Sequence, residues 1–120
     1  MLGRAQKLLG SKADNLQFLF ITIDPARDTP QVLGAYVKSG GFPNGVTGLT
    51  GTDAQIAQAA KVYKAAYQKV PAKDGTYSMA HTSVVYLMNP KGQFAVPLTA
   101  DMSPKDVADQ ISQAEADYRP

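Results

Sequence analysis

The sequence contains no cysteine and a single histidine. Without a thiol, these residues cannot form a disulfide, a thiolate metal site, a Cys-x-x-Cys redox pair or a cysteine nucleophile. The same absence removes the usual marker of compartment, because a cysteine-free chain is compatible with oxidising and reducing surroundings alike. Long apolar runs are lacking too. None approaches the roughly 18 residues needed to span a bilayer, and the apolar core of Met1 to Gly10 is too short for a secretion signal. No glycine-rich loop follows a strand pattern in the phosphate-cradling arrangement, and no Ser-His-Asp order stands in a supporting context, so nucleotide binding and triad hydrolysis are not indicated. Charge of one sign is also missing: 12 Lys and Arg are interspersed with 10 Asp and Glu. That balance argues against nucleic acid as a partner.

What is present suits a packed core. With 44% hydrophobic and 18% charged residues over 120 positions, residues 1–120 are expected to form one globular domain. Leu2, Ala5, Leu8 and Leu9 recur at helical spacing before Gly10, which predicts a helix stopping at a left-handed glycine. Leu16 to Ile23 is a continuous apolar and β-branched run closed by Asp24-Pro25, the pattern of a buried central strand. Asp28-Thr29-Pro30 offers a polar cap and an early-helix proline to a helix that turns Val32, Leu33, Tyr36 and Val37 inward and ends near Gly40-Gly41. Val46 to Leu49 reads as a short strand. Thr52 to Gln55 opens another helix, with Ile56, Ala59, Ala60 and Tyr63 facing inward.

Two hairpins come next. Tyr67 to Val70 and Thr76 to Met79 flank Lys73-Asp74-Gly75, and Ser83 to Met88 and Gln93 to Leu98 flank Asn89-Pro90-Lys91-Gly92. Ser103-Pro104 caps a final helix in which Val107, Ile111 and Ala114 recur at helical spacing before Arg119-Pro120. The order predicts an α/β sandwich: a mixed central sheet covered by helices on both faces.

Few residues could carry chemistry. His81 stands immediately before a strand, where a neutral imidazole can ligate a metal or move a proton. A lone histidine is more often structural, and one residue cannot make a tight site. Asp24, Arg27 and Asp28 lie in a loop at the carboxyl end of the expected central strand, where open α/β sheets commonly bind ligands. The plainer reading is that Asp28 caps the following helix and Arg27 pairs with a nearby acid. Met79, Met88 and Met102 are soft donors whose placement favours packing. Tyr36, Tyr63, Tyr67, Tyr77 and Tyr86 fall where helices and strands should pack, and Lys61, Lys64 and Lys69 read as a solvated face.

Three segments together resemble the SCO/SenC family: FITIDPARDTPQVLGAY (Phe20 to Tyr36), GLTGTDAQIAQAAKVY (Gly48 to Tyr63) and HTSVVYLMNPKGQF (His81 to Phe94). The most specific is the hydrophobic strand followed by Asp-Pro-x-Arg-Asp-Thr-Pro. The resemblance implies a thioredoxin-like fold that handles copper for assembly of cytochrome c oxidase and that can reduce the disulfide of the copper-receiving subunit. In that family two thiolates of a Cys-x-x-x-Cys element and one histidine bind the metal. His81 matches the histidine, and Asp24 and Asp28 match the acidic loop near the metal. Two soft thiolates with an imidazole suit Cu(I) and can also hold Cu(II). By resemblance the compartment is the periplasm, with or without a membrane tether.

The chain departs from the family in two ways. The Cys-x-x-x-Cys strand and helix start would lie upstream of Met1, so the chain is expected to be an N-terminally shortened domain lacking its first strand and tight copper binding. Shortening is favoured over natural loss because removal of a strand leaves apolar surface and backbone donors uncovered. That exposed edge also predicts self-association. Second, Ala80 stands where an aspartate commonly precedes the family histidine, which removes a carboxylate that could orient His81. The alternative function is a redox-inert interaction module of oxidase assembly. A peroxidase or reductase on the same fold would need a reactive cysteine, so no thiol turnover is expected of these residues.

Overall fold

The computed structural model describes residues 1–81 and 83–119. Thr82, inside the His81 motif, and Pro120, at the end of the chain, lie outside the described residues. The described residues fall into two compact units: one formed by Met1–Phe18, Gly40–Gly45 and 83–119, the other by Leu19–Ser39 and 46–81.

In the first unit, helix α1 (Leu2–Leu9) buries Ala5 and Leu9, while Leu8 is exposed. Gly10 takes a positive φ of 57° and returns its N–H to the Lys7 carbonyl, and the chain then continues into a 3-10 segment, Gly10–Asn15, that periodicity did not suggest. The Gln6 amide holds the 40–45 segment against α1, donating to the Asn44 carbonyl at 3.0 Å and accepting the Asn44 N–H at 2.8 Å. The C-terminal helix of this unit, Pro104–Asp117, starts where expected. Ser103 and Asp106 cap each other reciprocally, with Pro104 in the first turn. Val107, Ala108 and Ile111 from this helix pack with Ala5, Leu9 and Leu98 into the core, and Met102 leans on its edge.

The strands of the first unit are Val84–Met88 and Phe94–Thr99, an antiparallel pair with Tyr86 opposite Pro97 and an irregularity between Leu87 and Met88. The turn between them is built by Asn89. Its N–H donates to the Gln93 carbonyl at 2.8 Å, its carbonyl accepts the Gly92 N–H at 2.9 Å, and its side chain accepts the Lys91 and Gln93 N–H groups. Gly92 has φ 77°, the left-handed conformation such a turn demands.

In the second unit, β1 (Leu19–Ile21) runs parallel to β2 (Thr47–Leu49). The strand is shorter than the apolar run predicted, and Leu19 is 52% exposed. Burial concentrates instead just past its end, at Thr22 and Asp24. Helix α2 (Pro30–Tyr36) is capped by Thr29, whose hydroxyl accepts the Val32 N–H, and not by Asp28. It ends before Gly40-Gly41. Of its expected inward face only Leu33 and Val37 are buried; Val32 and Tyr36 are exposed, with Tyr36 stacked on Phe20 at 5.6 Å. Leu33 packs so closely on Gly48 of β2 that a Cβ there would meet it at 2.8 Å. Helix α3 (Asp53–Tyr63) carries the Thr52–Gln55 capping box that the sequence announces. It buries Ile56 and leaves Tyr63 exposed, a correction to the inward face expected of it.

The remaining strands of this unit, β3 (Tyr67–Pro71) and β4 (Tyr77–His81), form the first hairpin, registered Tyr67 with His81, Lys69 with Met79 and Pro71 with Tyr77. Gly75 supplies the left-handed turn residue at φ 86°, and Asp74 accepts the Thr76 N–H and hydroxyl. In chain order the later strands are β5 (Val84–Met88) and β6 (Phe94–Thr99), and the last helix is α4 (Pro104–Asp117).

Candidate functional site

The chemistry-bearing residues of the second unit gather where β1 runs out. An apolar strand that ends in Thr22-Ile23-Asp24-Pro25 turns polar just as proline forbids further ladder pairing. The Thr22 N–H still bonds the Leu49 carbonyl at 3.1 Å, so the loop starts from a fixed point beside β2. The Thr22 hydroxyl then organises the loop itself. It donates to Asp28 Oδ2 at 2.6 Å and accepts the Asp24 N–H at 2.9 Å. A backbone bond from the Asp28 N–H to the Asp24 carbonyl at 2.9 Å closes the loop. Both acids are therefore held by local bonds before any distant residue arrives.

Asp24 is 9% exposed and is the only buried acid among the described residues. Its carboxylate accepts from Arg27 Nε in a tight ion pair and, more weakly, from the Arg27 N–H at 3.4 Å. The third partner comes from 53 residues away: the Tyr77 hydroxyl sits 3.0 Å from Oδ1 and 2.9 Å from Oδ2. Burial pushes the Asp24 carboxyl up, and the bonds from Arg27 and Tyr77 outweigh it, holding the group below the ordinary value of 3.8. The pair with Asp24 raises Arg27, and burial followed by the bond to Asp24 raises Tyr77. Arg27 also donates from Nη1 to the Tyr77 carbonyl at 3.0 Å. Its guanidinium lies 4.0 Å from the centre of the Tyr77 ring, and the Lys69 ammonium lies 4.2 Å from it. Lys69, read from sequence as part of a solvated face, is thus engaged at its tip.

Asp24, Lys69 and Met79 border a half-open concavity of about 310 Å³, closed on other sides by Pro25, Tyr67 and Asp53. The predicted loop residues Asp24, Arg27 and Asp28 are therefore brought together, with Arg27 paired to an acid as the plainer reading held. His81 stands at the far end of β4 from Tyr77. Tyr77, Met79 and His81 alternate onto one face of that strand, and Tyr67 is the cross-strand neighbour of His81. Among the described residues no cluster of three or more His, Cys, Asp or Glu side chains is arranged to hold a metal ion. His81, the one imidazole of the sequence, shares a unit with this acidic loop and stands at the opposite end of β4 from Tyr77, the residue that contacts the loop.

Sequence reasoning missed Thr22 and Tyr77. A hydroxyl inside an otherwise apolar strand signals the first, since a buried hydroxyl needs a partner. The second carried a weaker signal: a tyrosine with a polar tip, four residues ahead of the only histidine.

A family model described as SCO1/SenC matches residues 1–115. The protein SCO1, mitochondrial, of Saccharomyces cerevisiae is 39% identical over 107 residues, covering 88% of this chain and 36% of that protein. The human protein SCO1 homolog, mitochondrial, is 35% identical over 102 residues, covering 84% of this chain and 33% of that protein. The chain thus spans about a third of the length of these curated relatives. Among solved structures, Bradyrhizobium japonicum ScoI with copper bound superposes with a TM-score of 0.81 at 35% identity, covering 93% of this chain and 70% of that one. Yeast Sco1 with copper bound gives 0.86 at 38% identity, covering 99% and 66%. The helices and strands of this chain are those of the thioredoxin-like α/β fold of these Sco proteins, and the chain belongs to the SCO1/SenC family.

Proposed function

We propose that this chain is the histidine-bearing part of a copper chaperone that serves assembly of cytochrome c oxidase. One observation carries the reading: two structures with copper bound superpose on nearly the whole chain, at TM-scores of 0.81 and 0.86 and identities of 35% and 38%. Copper is the cargo. His81 supplies one imidazole, and the Asp24–Asp28 loop, anchored by Thr22 and Arg27, supplies a fixed negative region in the same unit. With no cysteine among 120 residues, any thiolate ligands must come from residues beyond these or from a partner. By themselves these residues hold copper weakly, because a single borderline donor gives neither the softness nor the ligand number that Cu(I) favours.

The partner on this reading is the copper-receiving subunit of the oxidase, and the setting is the periplasm or an equivalent membrane-facing space. Among the described residues no helix is long and apolar enough to cross a membrane. The β1–β2 sheet has only two strands among these residues, and its outer edges support self-association at high concentration. A monomer whose sedimentation coefficient is independent of concentration counts against it.

Copper binding is the test. The chain extended at its N-terminus by a Cys-x-x-x-Cys strand and helix start is titrated with Cu(I) against a competing chelator. One tightly bound copper is expected, with affinity reduced at least about tenfold by His81→Ala, the loss typical of removing one ligand or its support. Failure of the extended protein to bind copper overturns the reading. The absence of cysteine favours a second reading, a redox-inert module that holds an oxidase subunit without touching metal. Capture of that subunit by the copper-free chain, with His81→Ala unchanged, decides for it.

A further inference from the structure

We propose that Tyr77 is the positioning residue of this site: by clamping the start of β4 onto the Asp24 loop, it sets where His81 stands relative to the loop. This rests on the copper reading for its purpose, though the clamp itself is structural and can be tested without metal. The two halves of the second unit differ in how they are held. On one side, β1, β2 and α2 are joined by a parallel ladder and by the close packing of Leu33 on Gly48. On the other, β3 and β4 are paired to each other, and most of their residues are exposed. Tyr77 joins the two. Its hydroxyl donates to both Asp24 oxygens, and its carbonyl accepts from the same Arg27 that pairs with Asp24.

Each part of Tyr77 has a separate task in the clamp. The hydroxyl reaches a carboxylate already paired with Arg27, on a residue whose own N–H is tied to the Thr22 hydroxyl, so it anchors to a fixed point. The carbonyl fixes the strand backbone as well as the side chain, which sets the direction in which β4 leaves the loop. The ring lies against Arg27 and Lys69, one cation from the loop and one from β3, so rotation of the ring would break contacts on both sides. From this anchor β4 runs four residues to His81, on the order of 13 Å at the usual strand rise. A strand held at one end by such bonds carries its other end to a defined place.

The charged and titratable groups around the clamp are Asp24, Arg27 and Asp28 of the loop, Lys69 and Tyr67 of β3, Tyr77 itself and Asp53 of α3, Tyr67 and Asp53 lining the same concavity. Acidification acts mainly on Asp24, because protonation removes the charge that Arg27 and Tyr77 both engage.

The test uses the chain as it stands. Tyr77→Phe keeps the ring and its two cations and removes only the hydroxyl. Amide hydrogen exchange followed by NMR is expected to show β3 and β4 exchanging about tenfold or more faster in this variant, while β5, β6 and α4 keep their rates. Asp24→Asn, which keeps an acceptor oxygen and loses the charge, is expected to fall between. Unchanged rates in β3 and β4 overturn the proposal. Cu(II) chloride then supplies a readout that a merely structural tyrosine would not move. In the parent, paramagnetic broadening should reach residues 24–28 together with His81; in Tyr77→Phe it should stay at His81 and leave the loop. Identical footprints overturn positioning. If Cu(II) leaves the parent His81 signals unbroadened, positioning of His81 for metal by these residues fails, while the exchange rates still decide whether Tyr77 clamps β4 and the extended protein still decides the copper reading.

Discussion

The two hairpins are built to the same local plan and put to different uses. Each turns on three residues ending in a glycine of positive φ, Gly75 at 86° and Gly92 at 77°, and each loop is braced by a side chain that accepts main-chain N–H groups, Asp74 in one and Asn89 in the other. Their strands then diverge. The β5–β6 pair sends Leu98, 2% exposed, into a core with Val107 and Ile111, and Val85, Leu87 and Val96 pack around it. The β3–β4 pair buries no side chain fully, and its best-held residue, Tyr77, is fixed by polar bonds to a loop. Apolar burial is non-directional and tolerates many arrangements, whereas hydrogen bonds to a buried carboxylate specify a direction. One hairpin therefore contributes stability, and the other holds a position.

The contrast can be broken or sharpened experimentally. The largest effect is expected at Leu98→Ala, which should cost about 2–5 kcal/mol in urea unfolding; a loss below about 1 kcal/mol would mean that the β5–β6 core does not carry the unit. Next come the turn glycines. Gly92→Ala forces a side chain into the left-handed region and should cost about 1–2 kcal/mol in global stability. Gly75→Ala places the same strain in the hairpin that contributes little burial, so its effect should appear in local exchange of β3 and β4 more than in the unfolding midpoint. Equal shifts of the midpoint would erase the distinction between the hairpins. Thr52→Ala and Ser103→Ala each remove an N-cap and should cost about 1 kcal/mol, one in each unit.

The smallest effect on neutral-pH unfolding, and the most informative about the clamp, is the acid response of Asp24. Its folded carboxyl titrates below the ordinary 3.8, so its contribution is fully present above that value and is lost as the pH falls through the lower folded value. Asp24→Asn should flatten the acid limb of the stability curve. An acid limb that is the same in both proteins would show that the carboxylate is not engaged as described.

Much of the local structure was legible. Caps at Thr52 and Ser103, both turns, and the order of helices and strands come from short-range preferences that one or two side chains decide. The misreadings came where two neighbours could do the same job or where burial was inferred from periodicity. Asp28 and Thr29 can each cap a helix; Thr29 does, because Asp28 is engaged by the Thr22 hydroxyl. Val32, Tyr36 and Tyr63 hold the spacing of a buried face yet lie exposed, since periodicity reports which residues share a face and not whether anything covers it. In the candidate site, the loop acids and His81 were visible as residue types, and Arg27 was rightly paired with an acid. The tyrosine that completes the cluster was read as packing.

The sequence by itself determined the family, the element order, the turn chemistry and the impossibility of thiol chemistry within these 120 residues. Each of these depends on residue identity or on neighbours a few positions apart. Only the tertiary structure decided that a tyrosine 53 residues from Asp24 would close its hydrogen bonds, and that one hairpin would be buried and its twin left open. Both depend on which distant surfaces meet, and a buried carboxylate accepts whichever donor the fold brings within reach.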